Sequence, residues 1–132
     1  MKIGIISDTH GIFREEWHRH LDGCDYLIHA GDFCTQKNYD CFRNFGIPLY
    51  MVRGNNDRGD WAKNLPEFLQ FRIGGKTFFL VHNQFDLPFD QMLIFLSLVI
   101  LITIHFMNVS IKFILIQAVP VTDVEIRKVL QS

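Results

Sequence analysis

Cysteine is scarce in this chain of 132 residues. There are three, at positions 24, 34 and 41, and no CxxC pair among them. An odd set without such a pair offers no disulfide framework and reads as reduced thiols in a cytosolic protein. A basic excess is also missing: 13 Lys and Arg face 14 Asp and Glu, for a net charge of −1. No broad nucleic-acid surface is therefore expected. The opening "MKIGIISDTHG" has only a short apolar stretch, interrupted at once by Asp8 and His10, so it does not read as a signal peptide. Internal repeats and low-complexity linkers are absent. The length suits one domain with one core.

What is present is an alternation of short apolar runs and helical patterns. Lys2 to Ile6 reads as a buried parallel strand, as do Tyr26 to His29 and Leu49 to Val52. Between them, Arg14 to Leu21 carries Trp17 and Leu21 four apart on one helical face. Lys37 to Phe45 reads as a second helix, with Tyr39, Cys41, Phe42 and Phe45 as its apolar positions. This order predicts an α/β domain with a parallel sheet. Phe68 to Ile73 and Lys76 to His82 flank Gly74-Gly75, a two-residue hairpin signal.

The polar residues gather at strand ends. "SDTHG" follows the first strand, "HAGDF" the second and "RGNNDRG" the third, and the hairpin ends in "LVHN". In open α/β sheets, sites form outside the carboxyl ends of strands. Asp8, His10, Asp32, Asn55, Asn56, Asp57 and His82 are thereby offered to one edge. Carboxylate, amide and imidazole donors suit Mn, Fe, Zn or Ni. A carboxylate that bridges two ions about 3.5–4 Å apart builds a centre able to clamp a phosphoryl group and activate water. Singly, each loop reads as ordinary turn chemistry. Their joint occurrence, in order and each at a strand end, does not.

This ordered set resembles the calcineurin-like metallophosphoesterase superfamily, in its small bacterial and archaeal phosphodiesterase branch. The resemblance covers roughly residues 1–90 and rests on "DTH" at 8–10, "GD" at 31–32, "GNND" at 54–57 and "VH" at 81–82. It implies an α/β/β/α sandwich of two sheets flanked by helices, holding two divalent metals, Mn foremost, with Ni, Fe, Zn or Mg as others. By position, Asp8 and His10 would bind the first metal, Asp32 would bridge, and Asn55 and His82 would hold the second. Asn56 stands where many relatives place a histidine that protonates the leaving group. Asp57 would orient its loop from behind the ligands. Arg53 and Arg58 would meet a substrate phosphate or serve as surface charge. His29 would approach the site or sit buried in the sheet. His18 and His20 read as solvated, and Trp61 and Phe85 as core or rim. The implied activity is phosphoester hydrolysis, phosphodiesterase-like, on a small substrate in the cytoplasm, with no membrane partner. The alternative is a non-catalytic interaction module on the same fold, like the retromer scaffold subunit that resembles this branch. No oligomeric state is implied.

The family's later GHTH and NPGS-type motifs are not in these residues. Instead, residues 91–132 form an atypical apolar tail of the same domain, with "LVILI" at 98–102 and His105 as the one later histidine. An alignment puts Met107 where a ligand histidine belongs, a poor donor for hard ions. Met92 to Met107 is shorter than the roughly 18–20 residues of a clean membrane span. A pair of core strands is a second reading. A third treats the tail as an out-of-frame translation. Encoded as TTG GTC ATA CTC ATT, "LVILI" contains GGT CAT ACT CAT in a neighbouring frame, which is Gly-His-Thr-His. Under the same shift "LIQAVP" yields Asn-Pro-Gly-Ser. Two missing motifs in family order under one shift make this the preferred account. It leaves each metal one histidine short, so metal binding and catalysis are expected to be impaired.

Overall fold

The computed structural model describes residues 1–83 in full and residues 99–104, 112–117 and 125–128 as backbone strands. The order is β1 (Lys2–Ile6), α1 (Glu15–Leu21), β2 (Tyr26–His29), α2 (Gln36–Arg43), β3 (Leu49–Met51), a 3-10 turn (Asp60–Asn64), β4 (Phe68–Ile73) and β5 (Lys76–Val81). Then follow β6 (Val99–Ile104), β7 (Lys112–Gln117) and β8 (Glu125–Lys128). β1, β2 and β3 pair in parallel, with Ile5 opposite Ile28 and Leu27 opposite Leu49. β8 adds on the other side of β1, also parallel. The second sheet runs β4-β5-β7-β6 and is antiparallel throughout.

Strand alternation sorts side chains between two cores. Ile3, Ile5, Ile28, Ala30 and Val52 meet Phe71, Ile73, Phe78 and Leu80 between the sheets. Ile6 and Leu27 point the other way, to Trp17, Leu21, Phe33, Phe42 and Leu65. Gly4 lets α1 close on β1, because a Cβ there would lie 2.6 Å from Leu21 Cδ2. The expected sandwich is thus present as helix layer, sheet and sheet. The expected helical layer beyond the second sheet is a reading that falls outside the described residues.

Several boundaries differ from the sequence reading. α2 starts at Gln36, because the Thr35 side chain caps it by accepting from the Asn38 N–H at 3.2 Å. It ends at Arg43 rather than Phe45, short of Gly46 with its φ of +92°. Its inward face also carries a buried polar residue, Asn38, beside the expected Phe42. The hairpin turns at Gly74-Gly75, whose φ values of +56° and +76° suit a mirror-image turn. Trp61 packs against the helix-side core, the packing reading, while Phe85 lies outside the described residues.

Val99–Ile104 is extended and paired with Lys112–Gln117, which sets aside a membrane helix over that part of Met92–Met107. Among the described residues no helix is long and apolar enough to cross a membrane. His105 and Met107 lie outside the described residues.

Candidate metal centre

The loops after β1 and β2 are knitted together by backbone. The N–H groups of Asp8, His10 and Gly11 donate to the carbonyls of Gly31, Asp32 and Phe33 at 3.0, 3.0 and 2.7 Å. Along these two loops four non-glycine residues lie in the left-handed region: Asp8 (φ 54°), His10 (46°), Asp32 (62°) and Cys34 (67°). Such conformations cost about 1–3 kcal/mol each and cluster at functional sites. Three of the four are ligands inferred from the sequence. The loop after β3 comes equally close, since a Cβ on Gly54 would lie 2.0 Å from Asp32 Oδ1.

Asp57 ties these loops. Its Oδ2 accepts from the N–H groups of Asp32 (2.9 Å) and Gly54 (2.7 Å), and its Oδ1 from that of Cys34 (2.8 Å). Both oxygens of this buried carboxylate are thus engaged by backbone. Asn56 grips Asp32 itself, backbone N–H to Oδ1 at 3.0 Å and Nδ2 to Oδ2 at 2.9 Å.

Donor atoms of Asp8, His10 and Asp32 lie within 4.8 Å of one another, close enough to share one cation. On the other side of Asp32, His82 Nε2 lies 3.6 Å from Asp32 Oδ1 and 2.9 Å from Asn55 Oδ1. His82 Nδ1 is 2.8 Å from the Ala30 carbonyl, which only accepts, so Nδ1 carries a proton. In the neutral ring the Nε2 lone pair therefore faces an amide oxygen and a carboxylate. Either a cation among the three atoms or the Asn55 amide turned to present Nδ2 satisfies this lone pair. The donor set fits a divalent metal, with Asp32 common to both groups.

Around this set, His10 Nδ1 contacts Cys34 Sγ at 3.2 Å, and His10 Nε2 is 3.6 Å from Asp8 Oδ1. Burial pushes the Cys34 thiol up to about 11, with the Asp32 and Asp57 carboxylates adding to the shift. His29 is fully buried, stacked on Phe33 with ring centroids 3.7 Å apart. Burial holds it well below the usual histidine range, and His82 lowers it further. The buried-sheet reading of His29 holds. Arg53 pairs with Glu67, and Arg58 is exposed beside the Asn55-Asn56 loop. His18 is exposed, as read from sequence, yet stacks on Phe45 at 4.9 Å. Sequence reasoning missed Thr9, Cys34 and Asn38. The one available signal was a polar Asn38 beside Tyr39 on a helix otherwise read by its apolar positions.

Comparisons with known proteins give the family and the fold. A model described as the calcineurin-like phosphoesterase superfamily domain matches residues 1–96. The phosphodiesterase MJ0936 of Methanocaldococcus jannaschii is 30% identical over 105 aligned positions. That match takes in 64% of this chain, which spans 60% of that relative's length. Among solved structures, vacuolar protein sorting 29 from Cryptosporidium parvum superposes with a TM-score of 0.52 at 24% identity, over 67% of this chain and 52% of that one. A single mutant of Vps29 from Entamoeba histolytica gives 0.50 at 22%, over 62% and 48%. These two likenesses bear on the fold alone. Since the family model runs from Met1 past the last fully described loop, well over half of the sequence, the chain belongs to the calcineurin-like phosphoesterase superfamily.

Proposed function

We propose that this chain is a metal-dependent phosphoesterase, phosphodiesterase-like, acting on a small phosphate ester with two divalent ions, Mn foremost. The observation that carries the reading is the shared position of Asp32. It stands between the Asp8–His10 group and the Asn55–His82 group. Bound ions would supply Lewis-acid charge to the phosphoryl oxygens and lower the pKa of a nucleophilic water. The chain's own residues do the rest. Asp57 sets the loops and Asn56 orients the Asp32 carboxylate by two hydrogen bonds. The Ala30 carbonyl holds the His82 ring so that Nε2 faces the site. Arg58, exposed and three residues after Asn55, would meet a phosphate, whereas Arg53 is engaged by Glu67. Asn56 has no titratable proton, so leaving-group protonation falls to solvent. Cys24, Cys34 and Cys41 are in no disulfide, which suits a reducing compartment, the cytoplasm.

The sequence holds no GHTH motif, which leaves each ion one histidine short, so binding is weak and turnover low. Misplacement of about 1 Å costs about a hundredfold in rate. Calorimetry with Mn and a chromogenic phosphodiester assay test the reading together. Weak Mn binding, abolished by Asp32→Ala, with slow Mn-stimulated hydrolysis is the expected result. Asp32→Ala binding Mn as the parent does would overturn the shared-ligand assignment. A second reading, an interaction module on this fold, draws on Asn56 in place of an imidazole and on the missing motif. It gains if Mn binds and no hydrolysis occurs.

A further inference from the structure

Behind the ligand loops lies a buried polar chain that none of the ligand assignments uses. Thr9 and His29 are fully buried and Asn38 is 2% exposed. His29 Nδ1 is 3.1 Å from the Gly31 N–H, and its Nε2 is 3.1 Å from Thr9 Oγ1. Asn38 Nδ2 reaches Thr9 Oγ1 at 2.5 Å and the Phe33 carbonyl at 2.9 Å.

The direction of each bond follows from the first. A backbone N–H only donates, so His29 Nδ1 accepts from Gly31 and carries no proton. In the neutral ring, Nε2 then holds the hydrogen and donates to Thr9 Oγ1. That oxygen also accepts from Asn38, whose second amide hydrogen goes to Phe33. The directions of the His29 and Asn38 bonds are thereby fixed. It spans the two backbone segments that carry ligands: Thr9 lies between Asp8 and His10, while Gly31 and Phe33 flank Asp32.

We propose that His29 is a neutral strut setting the separation of the Asp8–His10 loop from Asp32, with Thr9 its seat and Asn38 the bolt from α2. These are positioning residues and touch no substrate. The rigid imidazole fixes a span that a flexible side chain would leave adjustable. The left-handed Asp8, His10 and Asp32 need such support, because their backbone preferences oppose the conformations they hold. The inference rests on the metal-centre reading for its consequence and on hydrogen-bond geometry alone for the strut.

The test has two arms. Nitrogen-resolved NMR of the histidine rings in the metal-free protein reports which nitrogen of His29 is protonated. Protonated Nε2 with bare Nδ1 is the expected result, and a proton on Nδ1 would overturn the strut whether or not the chain binds metal. In the second arm, Mn affinity is compared for Thr9→Val, which keeps shape but loses the hydroxyl, and Thr9→Ser, which keeps the oxygen. Thr9→Val should weaken Mn binding by about tenfold or more, and Thr9→Ser should stay within about threefold of the parent. Equal affinities for the parent and a folded Thr9→Val would overturn the positioning role. If Thr9→Val does not fold, Asn38→Ala takes its place with the same two outcomes. A parent that binds no Mn at all counts against the metal-centre reading and leaves the NMR arm to decide the strut.

Discussion

Asp57 shows how much a single carboxylate holds at this site. It accepts three backbone N–H groups from two loops while buried, so replacing one oxygen by an amide nitrogen turns a donor toward other donors. Asp57→Asn should cost about 3 kcal/mol in urea unfolding, the penalty for leaving buried amides unpaired. A loss below about 1 kcal/mol would show that the loops hold themselves. Cys34 supplies a chemical readout of the same neighbourhood. With its pKa pushed up to about 11 by burial and two carboxylates, its thiol stays protonated at pH 7. Iodoacetamide should modify it more than about tenfold more slowly than free cysteine, because the thiolate is the nucleophile. Peptide mapping of the alkylated chain gives the rate, and labelling as fast as free cysteine would contradict the environment described.

At the scale of elements, α2 depends on a cap. Thr35→Ala removes the side-chain acceptor for the Asn38 N–H, and should cost about 1 kcal/mol by thermal or urea unfolding. The tail strands β6 and β7 extend the second sheet, with Leu115 opposite Leu101 and Phe79. This agrees with the strand-pair reading of the backbone and is separate from how the residues arose. We propose that the coding DNA carries a one- or two-base indel between the codons for His82 and Met92. Sequencing that stretch decides it: a neighbouring frame that encodes neither Gly-His-Thr-His nor Asn-Pro-Gly-Ser ends the idea. Correction of the frame should raise Mn-dependent phosphodiesterase activity.

For the whole molecule, His29 sets a pH dependence. Its folded pKa lies well below 6.5, so below that pH the unfolded chain binds the proton that the folded chain refuses. Stability is therefore full above about pH 6.5 and falls as pH drops below it, by up to about 1.4 kcal/mol per unit. Urea midpoints between pH 7.5 and 5.5 should show this slope, and His29→Gln should flatten it. An unchanged slope in the variant would place the effect elsewhere. Metal acts in the opposite sense: Mn at about a hundred times its Kd should stabilise the fold by about 2.7 kcal/mol.

The order of β1 to β5 with α1 and α2, the hairpin at Gly74-Gly75 and the placing of Asp8, His10, Asp32, Asn55 and His82 after strand ends were legible in the sequence. These depend on short-range patterns: apolar runs, helical spacing, glycine turns and the rule that sites form at carboxyl ends of parallel strands. Contacts made across the fold were not legible. Asn38 turns inward because Thr9 and the Phe33 carbonyl, both on other loops, need a donor. The His82 tautomer is decided by Ala30, 52 positions away in the chain. The pairing of β8 with β1 brings residues 125–128 beside residues 2–5, and the left-handed turns at Asp8, His10 and Asp32 accompany a backbone ladder between two loops. Residue type and spacing determine which groups reach the sheet edge. Which of them meet, and in which protonation state, is decided by partners that only folding brings within hydrogen-bond distance.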